Sequence, residues 1–388
     1  KKFNSGFDMR LGIPVLDEVL GEIPIGKSLT YYIDPEVEGD IFAMQTLFNN
    51  LNRHKCVLMT TSMNPSSVRA KFKEYGWDVE ESENFSIIDA YSGYVGDTSD
   101  EKYFVTDPSN LEEIDQVILK STEENDLIVI DSLSTLIDMC GVEVLNYVEN
   151  WNKYAKINDS VIIYNFVAWP YEENVVEKVK SLSNAVIEVG GIYHRVILGQ
   201  YYGVVKIDWK DIERRLILFK IVKPGGVKAY IPKILVTGPY NAGKSTFVHA
   251  ISTRAVSVDR LGTTVALDHG HVEYKGFSID VFGTPGQERF DPILKLLGGE
   301  ALGVILIIDS TKPEDFPRAK HMLEMTAKSG LPYVVAANKK DLPNALSVEG
   351  IRRSMALPDE IPIIPCSALK KEGVYEVLEA LLDLLTGE

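Results

Sequence analysis

The sequence predicts an α/β fold of two doubly wound, three-layer domains, each a largely parallel sheet covered by helices on both faces. Three observations carry this. Short apolar runs of strand length alternate with amphipathic stretches of helical spacing through both halves, the pattern of strand–helix–strand crossovers. At 388 residues the chain is too long for one ordinary domain and has apolar content for separate cores. Finally, Lys223-Pro224-Gly225-Gly226-Val227-Lys228 interrupts the alternation, which sets a linker over 223–230 between domains spanning 1–222 and 231–388.

In the first domain Leu29 to Ile33, Cys56 to Thr60, Phe85 to Asp89, Leu127 to Asp131 and Val161 to Phe166 read as buried strands. Ile41 to Leu51 and Val68 to Tyr75 have the spacing of helices between them. Ala185 to Val189, Tyr193 to Gln200, Gly203 to Asp208 and Leu216 to Ile221 follow with short connections and predict an antiparallel extension of the sheet. In the second domain the strand Ile234 to Val236 leads through a glycine loop into a helix over Gly243 to Ser252, and a polar segment runs to Thr264. Strands Val265 to Glu273 and Phe277 to Phe282 meet at Tyr274-Lys275-Gly276. The strand Leu302 to Ile308, a helix from Glu314 to Lys328, the strand Tyr333 to Ala337, the helix Val348 to Met355, the strand Ile361 to Ile364 and the helix Val374 to Leu385 complete a six-stranded sheet.

A formal charge of −16 without a long basic run argues against a general nucleic-acid or anionic-membrane surface. Cys56, Cys140 and Cys366 are far apart and lack metal-ligand spacing, which points to a reduced, cytoplasmic setting. No signal peptide is evident, the longest apolar runs are too short to cross a bilayer, and the final residues offer no cysteine for prenylation. The chain starts at Lys1 without a Met, so a few residues or a tag are expected before it.

The chemistry concentrates at strand ends. Gly238-Pro239-Tyr240-Asn241-Ala242-Gly243-Lys244-Ser245 has the spacing G-x-x-x-x-G-K-S between strand and helix. In such a loop the backbone N–H groups and the helix N-terminus face phosphates, Lys244 reaches the β- and γ-phosphates, and the Ser245 hydroxyl binds Mg²⁺. Gly238, Asn241, Ala242, Gly243 and Thr246 are expected contacts of the same nucleotide. Asn338-Lys339-Lys340-Asp341 follows a later strand. The Asp341 carboxylate can accept from the paired N1–H and N2–H donors of guanine, which adenine lacks; Asn338 ties the loop and contacts N7, and the Lys339 stem covers one ring face. Cys366-Ser367-Ala368, after the last strand, brings Ser367 to the site and offers the Ala368 N–H to guanine O6. GTP or GDP is therefore the expected ligand.

With these pieces Ile231 to Glu388 resembles the small Ras-like GTPases, and Gly283, the G-P-Y-N-A-G-K-S loop and the T-P-G-Q segment together bring it closer to prokaryotic members of the MglA and Arf-related kind. Phe282-Gly283-Thr284-Pro285-Gly286-Gln287-Glu288-Arg289-Phe290 looks like their second switch and Gly262-Thr263-Thr264 like the end of the first. The resemblance implies that Thr264 senses Mg²⁺, that the Gly286 N–H meets the γ-phosphate, and that Gln287 orients the attacking water. Two departures stand out. Gly283 replaces the Asp that usually holds Mg²⁺ through water, leaving Asp309, ranked first, or Asp268 to substitute; Asp280 falls on the opposite face. Tyr240 is bulky where the family is small, which hinders an arginine from a partner and implies slow turnover or an arginine in cis from Arg254, Arg260 or Arg289.

The first domain resembles the RecA/KaiC-like ATPases, through Leu11-Gly12-Ile13-Pro14-Val15-Leu16-Asp17 with Ile23-Pro24-Ile25-Gly26-Lys27-Ser28, Tyr75-Gly76-Trp77, and Leu127 to Ser132. Where that family carries its phosphate loop, this chain reads Asp34-Pro35-Glu36-Val37-Glu38-Gly39-Asp40-Ile41, with Asp40 in place of the lysine and Ile41 in place of the Mg²⁺-binding hydroxyl. An unpaired carboxylate beside a triphosphate is repulsive by about 1 kcal/mol or more. No ATP site is expected there; a solvated acidic loop is favoured over a cation site, and Asp131 keeps the look of a Walker-B acid. The expectation is a GTP-hydrolysing switch joined to a nucleotide-incompetent domain that serves regulation, an unidentified effector, or oligomer assembly, the last by analogy alone. The alternatives are a GTP- or GDP-binding scaffold without turnover and an ATP-driven first domain.

Overall fold

The computed structural model describes residues 8–194, 196–253, 257–261, 265–274, 276–288, 301–327 and 331–386. The chain divides into two compact units, one of Lys1–Gly191 with Gln200–Tyr230, the other of Ile192–Gly199 with Ile231–Glu388.

The first unit is built on Ser28–Ile33 (β1), Cys56–Thr60 (β2), Phe85–Asp89 (β3), Tyr103–Phe104 (β4), Leu127–Asp131 (β5), Val161–Val167 (β6) and Ala185–His194 (β7). These pair in parallel in the order β4–β3–β2–β5–β6–β1–β7. Successive side chains of a strand point to opposite faces, and the buried set splits accordingly. Leu29, Leu58, Val129 and Ile163 pack on one face with Phe42, Leu47 and Phe72 from helices Ile41–Asn50 and Pro65–Glu74. Val57, Ile128, Ile130 and Tyr164 pack on the other with Ile118, Leu136, Val148 and Trp151 from helices Leu111–Ser121, Leu133–Cys140 and Val144–Ile157. Such continuous apolar strands are what a sheet covered on both sides requires, and each fully buried large side chain stabilises the fold by roughly 1.5–3 kcal/mol.

Val196–Ile207 (β8), which belongs to this unit from Gln200 on, Leu216–Val222 (β9) and Gly226–Tyr230 (β10) continue as an antiparallel ribbon. The strands here are longer than the four short ones expected, because Gly190 and Gly203 lie inside strands rather than between them. A Cβ on Gly190 would come within 2.7 Å of the Tyr201 ring, and one on Gly203 within 2.8 Å of the Arg215 carbonyl. Close approach of a neighbour is the usual reason for glycine in a strand. The segment read as a linker is also different. Its glycines, Gly225 and Gly226 at φ 130° and 90°, turn the chain into a hairpin, and Val227 is buried with its N–H donating to Gln45 Oε1 at 2.8 Å.

The second unit contains Lys233–Thr237 (β11), Ser257–Leu261 (β12), Val265–Tyr274 (β13), Phe277–Gly283 (β14), Ala301–Asp309 (β15), Tyr333–Asn338 (β16) and Ile363–Pro365 (β17). Their order is β12–β13–β14–β11–β15–β16–β17, antiparallel at the first two pairings and parallel beyond. β12 is one strand more than the six expected. It falls in the stretch taken as merely polar, because Ser257-Val258-Asp259-Arg260-Leu261 has no apolar run, and its place is set by main-chain pairing with β13. Leu235, Val304, Leu306 and Val335 pack with Phe316, Ala319 and Leu323 of helix Phe316–Thr326 and with Ile351 and Met355 of helix Val348–Met355. β11 lies between β14 and β15, so the chain runs to one side of it after β11 and crosses to the other after β14, and a crevice opens at its carboxyl end.

Candidate functional site

At that carboxyl end a cavity of about 570 Å³ is bounded by the loop after β11, the end of β14, and the loops after β16 and β17. The first loop requires its glycines. Gly238, at φ 151°, passes so close to β15 that a Cβ would meet the Ile307 carbonyl, and Gly243, at φ 102°, would drive one into the Asn338 amide. Helix Lys244–Ile251 then starts with Ser245 and Thr246 exposed on the cavity wall. Lys244 is half-buried and donates to the carbonyls of Gly238 and Pro239 at 2.8 and 2.7 Å. Burial first, and the neighbouring Arg318 charge second, lower its ammonium to about 8, against the opposing pull of Asp268.

Asn338 ends β16 and is buried, and it joins three loops. Its Nδ2 donates to the Ala242 carbonyl at 2.8 Å, and its Oδ1 accepts from the Ala368 N–H at 2.9 Å. The Ala368 N–H expected to face guanine O6 is thus already engaged, and an O6 acceptor would share it. Lys339, in the left-handed region at φ 62°, donates to the Asn241 carbonyl at 3.0 Å and to Asp309 Oδ2 at 2.6 Å. Asp341 lines the cavity with Lys370 Nζ 3.6 Å away. Desolvation pushes its carboxyl up, but the Ser367 hydroxyl, a backbone N–H and the Lys370 charge together hold it below the usual carboxylate value.

The two candidates for the missing switch aspartate separate clearly. Asp309, ranked first from the sequence, accepts from Lys339 in the loop after β16 and from both the N–H and hydroxyl of Thr311 in its own loop after β15, so its carboxylate is already engaged. Asp268 instead stands opposite Gly283 in the β13–β14 register, and both line the cavity beside Lys244 and Ser245. Its Oδ2 lies 3.5 Å from where a Gly283 Cβ would sit. Strand pairing, which the sequence does not display, brings the Asp268 carboxylate beside Gly283.

Gly286 and Gln287 lie at the mouth of the cavity, with Gln287 exposed, and Tyr240 is 64% exposed on the same rim. Gly262, Thr263, Thr264, Arg254, Arg289, Phe290 and the side chain of Arg260 lie outside the described residues. Sequence reasoning missed Leu342 and Leu369, which also line the cavity, and Arg318, which reaches Gly286. Leu369 was discoverable as the residue after Ser367-Ala368; Arg318 sits in no motif.

In the first unit the loop between β1 and helix Ile41–Asn50 closes on itself. Glu36 N–H donates to Asp34 Oδ1, and Glu38 N–H donates to Gln200 Oε1. Asp40, expected to be unpaired, forms an ion pair with Lys71 from the neighbouring helix. Helix neighbours in space, not in sequence, supply the counter-charge. Asp131 accepts from Asn165 Nδ2 at 3.3 Å, and burial, reinforced by the Asp40 charge, lifts its carboxyl to about 6. Among the described residues no group of three or more His, Cys, Asp or Glu side chains is placed to hold a metal ion.

The G-x-x-x-x-G-K-S loop at the switch point of a doubly wound sheet, facing the Asn338–Asp341 loop across one cavity, together with the family comparisons, defines the class as the Ras-like GTPase domain, here fused to a KaiC-like domain. The profile of the ADP-ribosylation factor family matches residues 220–385, and that of the KaiC ATPase family matches residues 9–233. Human ADP-ribosylation factor-related protein 1 is 33% identical over 164 residues, 38% of this chain and 81% of that protein. Translation initiation factor IF-2 of the Aster yellows witches'-broom phytoplasma is 32% identical over 163 residues, 39% of this chain but only 25% of that protein's length. A crystal structure of a KaiC-like protein from Pyrococcus horikoshii is similar at TM-score 0.47 and 19% identity, over 57% of this chain and 98% of that one. The chain belongs to the ADP-ribosylation factor family through its C-terminal part and to the KaiC family through its N-terminal part.

Proposed function

We propose that the domain from Ile231 to Glu388 binds GTP and hydrolyses it to GDP and phosphate as a molecular switch, and that residues 1–222 form a nucleotide-incompetent domain that regulates it or engages a protein partner. One observation carries this: Lys244, Asn338 and Asp341 converge on a single cavity although 94 or more residues separate the first from the others. Asp341 selects guanine, the Lys339 stem and Asn338 fix the base loop, and Gly238, Asn241, Ala242, Gly243, Ser245 and Thr246 hold the phosphates. Ser367 and Ala368 close the base end. Gly286 addresses the γ-phosphate and Gln287 orients the water that attacks it in line, while Lys244 stabilises the charge that develops on the phosphoryl oxygens.

The oxygen donors on the cavity wall suit Mg²⁺, a hard cation. Ser245 would hold it directly, Asp268 would support it where Gly283 offers no carboxylate, and Thr264 would complete the set in the GTP state. The ion would neutralise phosphate charge. We place the protein in the cytoplasm, in keeping with the three free cysteines, Cys56, Cys140 and Cys366. Among the described residues no helix is long and apolar enough to cross a membrane.

Tyr240 at the rim favours a second reading, a scaffold that binds guanine nucleotide with negligible turnover. Single-turnover phosphate release decides between them: we expect measurable hydrolysis, slowed at least tenfold in Gln287→Leu, and loss of guanine preference in Asp341→Asn. Release no faster from the native chain than from Gln287→Leu would leave the scaffold; equal affinity for adenine and guanine nucleotides would remove both.

A further inference from the structure

We propose that Arg318 is a positioning residue for hydrolysis: it holds the carbonyl of Gly286 and, through the plane of that peptide, sets where Gln287 stands at the γ-phosphate end of the cavity. This rests on the GTPase reading above. Arg318 Nη2 donates to the Gly286 carbonyl at 3.4 Å. The peptide unit is planar, so a constraint on that oxygen also limits the Gln287 nitrogen and Cα, which share its plane. Gly286 also lies against the phosphate loop. A Cβ added there would lie 2.7 Å from Tyr240 N and 2.8 Å from Lys244 Nζ, so its backbone already rests on the phosphate loop.

The support for the guanidinium is rigid. Arg318 occupies the first turn of helix Phe316–Thr326, whose Phe316, Ala319 and Leu323 are buried in the core against β11, β15 and β16. A group carried on a packed helix keeps its geometry better than one on a loop. The charge also adds to the positive end of the pocket, since Arg318 is close enough to Lys244 to lower its ammonium pKa. Two cations thus flank the place where a γ-phosphate would accumulate negative charge.

The test is single-turnover hydrolysis by the full chain in four forms: native, Arg318→Ala, Gln287→Leu and the double variant, with GDP affinity measured on each. Arg318→Ala should slow hydrolysis about tenfold with GDP affinity within about twofold of native, and Arg318→Lys should recover part of the loss. In the Gln287→Leu background the same change should matter less than about twofold, because the group being positioned is gone. Equal losses in both backgrounds, or a native rate for Arg318→Ala, would overturn the assignment and leave the GTPase reading intact. A native chain that binds GDP but does not hydrolyse GTP overturns both the assignment and the hydrolytic half of that reading; one that binds neither nucleotide overturns all of it. Should Arg318→Ala fail to bind GDP, Arg318→Gln, which keeps a donor and most of the stem, takes its place under the same criteria.

Discussion

Lys244 shows how a single residue is prepared for its ligand. Its ammonium is half-buried and, among the described residues, donates to two carbonyls of its own loop, and its proton is held with a pKa of about 8 rather than the ordinary 10.5. A bound polyphosphate favours the charged form and raises that value. Binding above pH 8 must therefore take up a proton, and we expect affinity for GDP to be flat below about pH 7 and to fall by up to tenfold per unit above 8. Calorimetry at pH 8.5 in buffers of different ionisation enthalpy should report the uptake, and Lys244→Met should abolish it along with most of the affinity. The same shift affects folding in the opposite direction: the unfolded chain binds more protons between about 8 and 10.5, so this group's contribution to stability rises with pH across that window.

Among elements, the β13–β14 hairpin has the largest consequence. Register alone puts Asp268 against Gly283, and one residue of slip would turn the carboxylate to the other face. Asp268→Asn keeps size and shape while removing charge. We expect it to raise the Mg²⁺ concentration needed to slow GDP release, by about tenfold, with little change in release when EDTA is present; an unchanged Mg²⁺ dependence would return the role to another group. The β9–β10 hairpin makes the complementary point. Its Pro-Gly-Gly sequence has the composition of a linker, and only the burial of Val227 against Gln45 reveals a folded edge.

For the molecule as a whole, one guanine site and one closed acidic loop are the expectation. Hydrogen exchange should read both at once: GDP should slow exchange in the loop after β11 and in residues 338–341 and 366–369, and ATP should leave residues 34–41 unchanged. Protection of 34–41 by ATP would restore an active first domain. Much of this was legible in the chain itself. The strand–helix alternation, the G-x-x-x-x-G-K-S loop, Asn338-Lys339-Lys340-Asp341 and Ser367-Ala368 are local patterns, and local patterns follow from backbone sterics and the periodicity of burial. What only the tertiary structure decided were relations between residues distant in sequence: Asp268 opposite Gly283, Asp309 tied to Lys339, Lys71 answering Asp40, and Arg318 on the Gly286 carbonyl. Each depends on strand register or helix packing, and the side chains that those place together carry no signature of one another in the sequence.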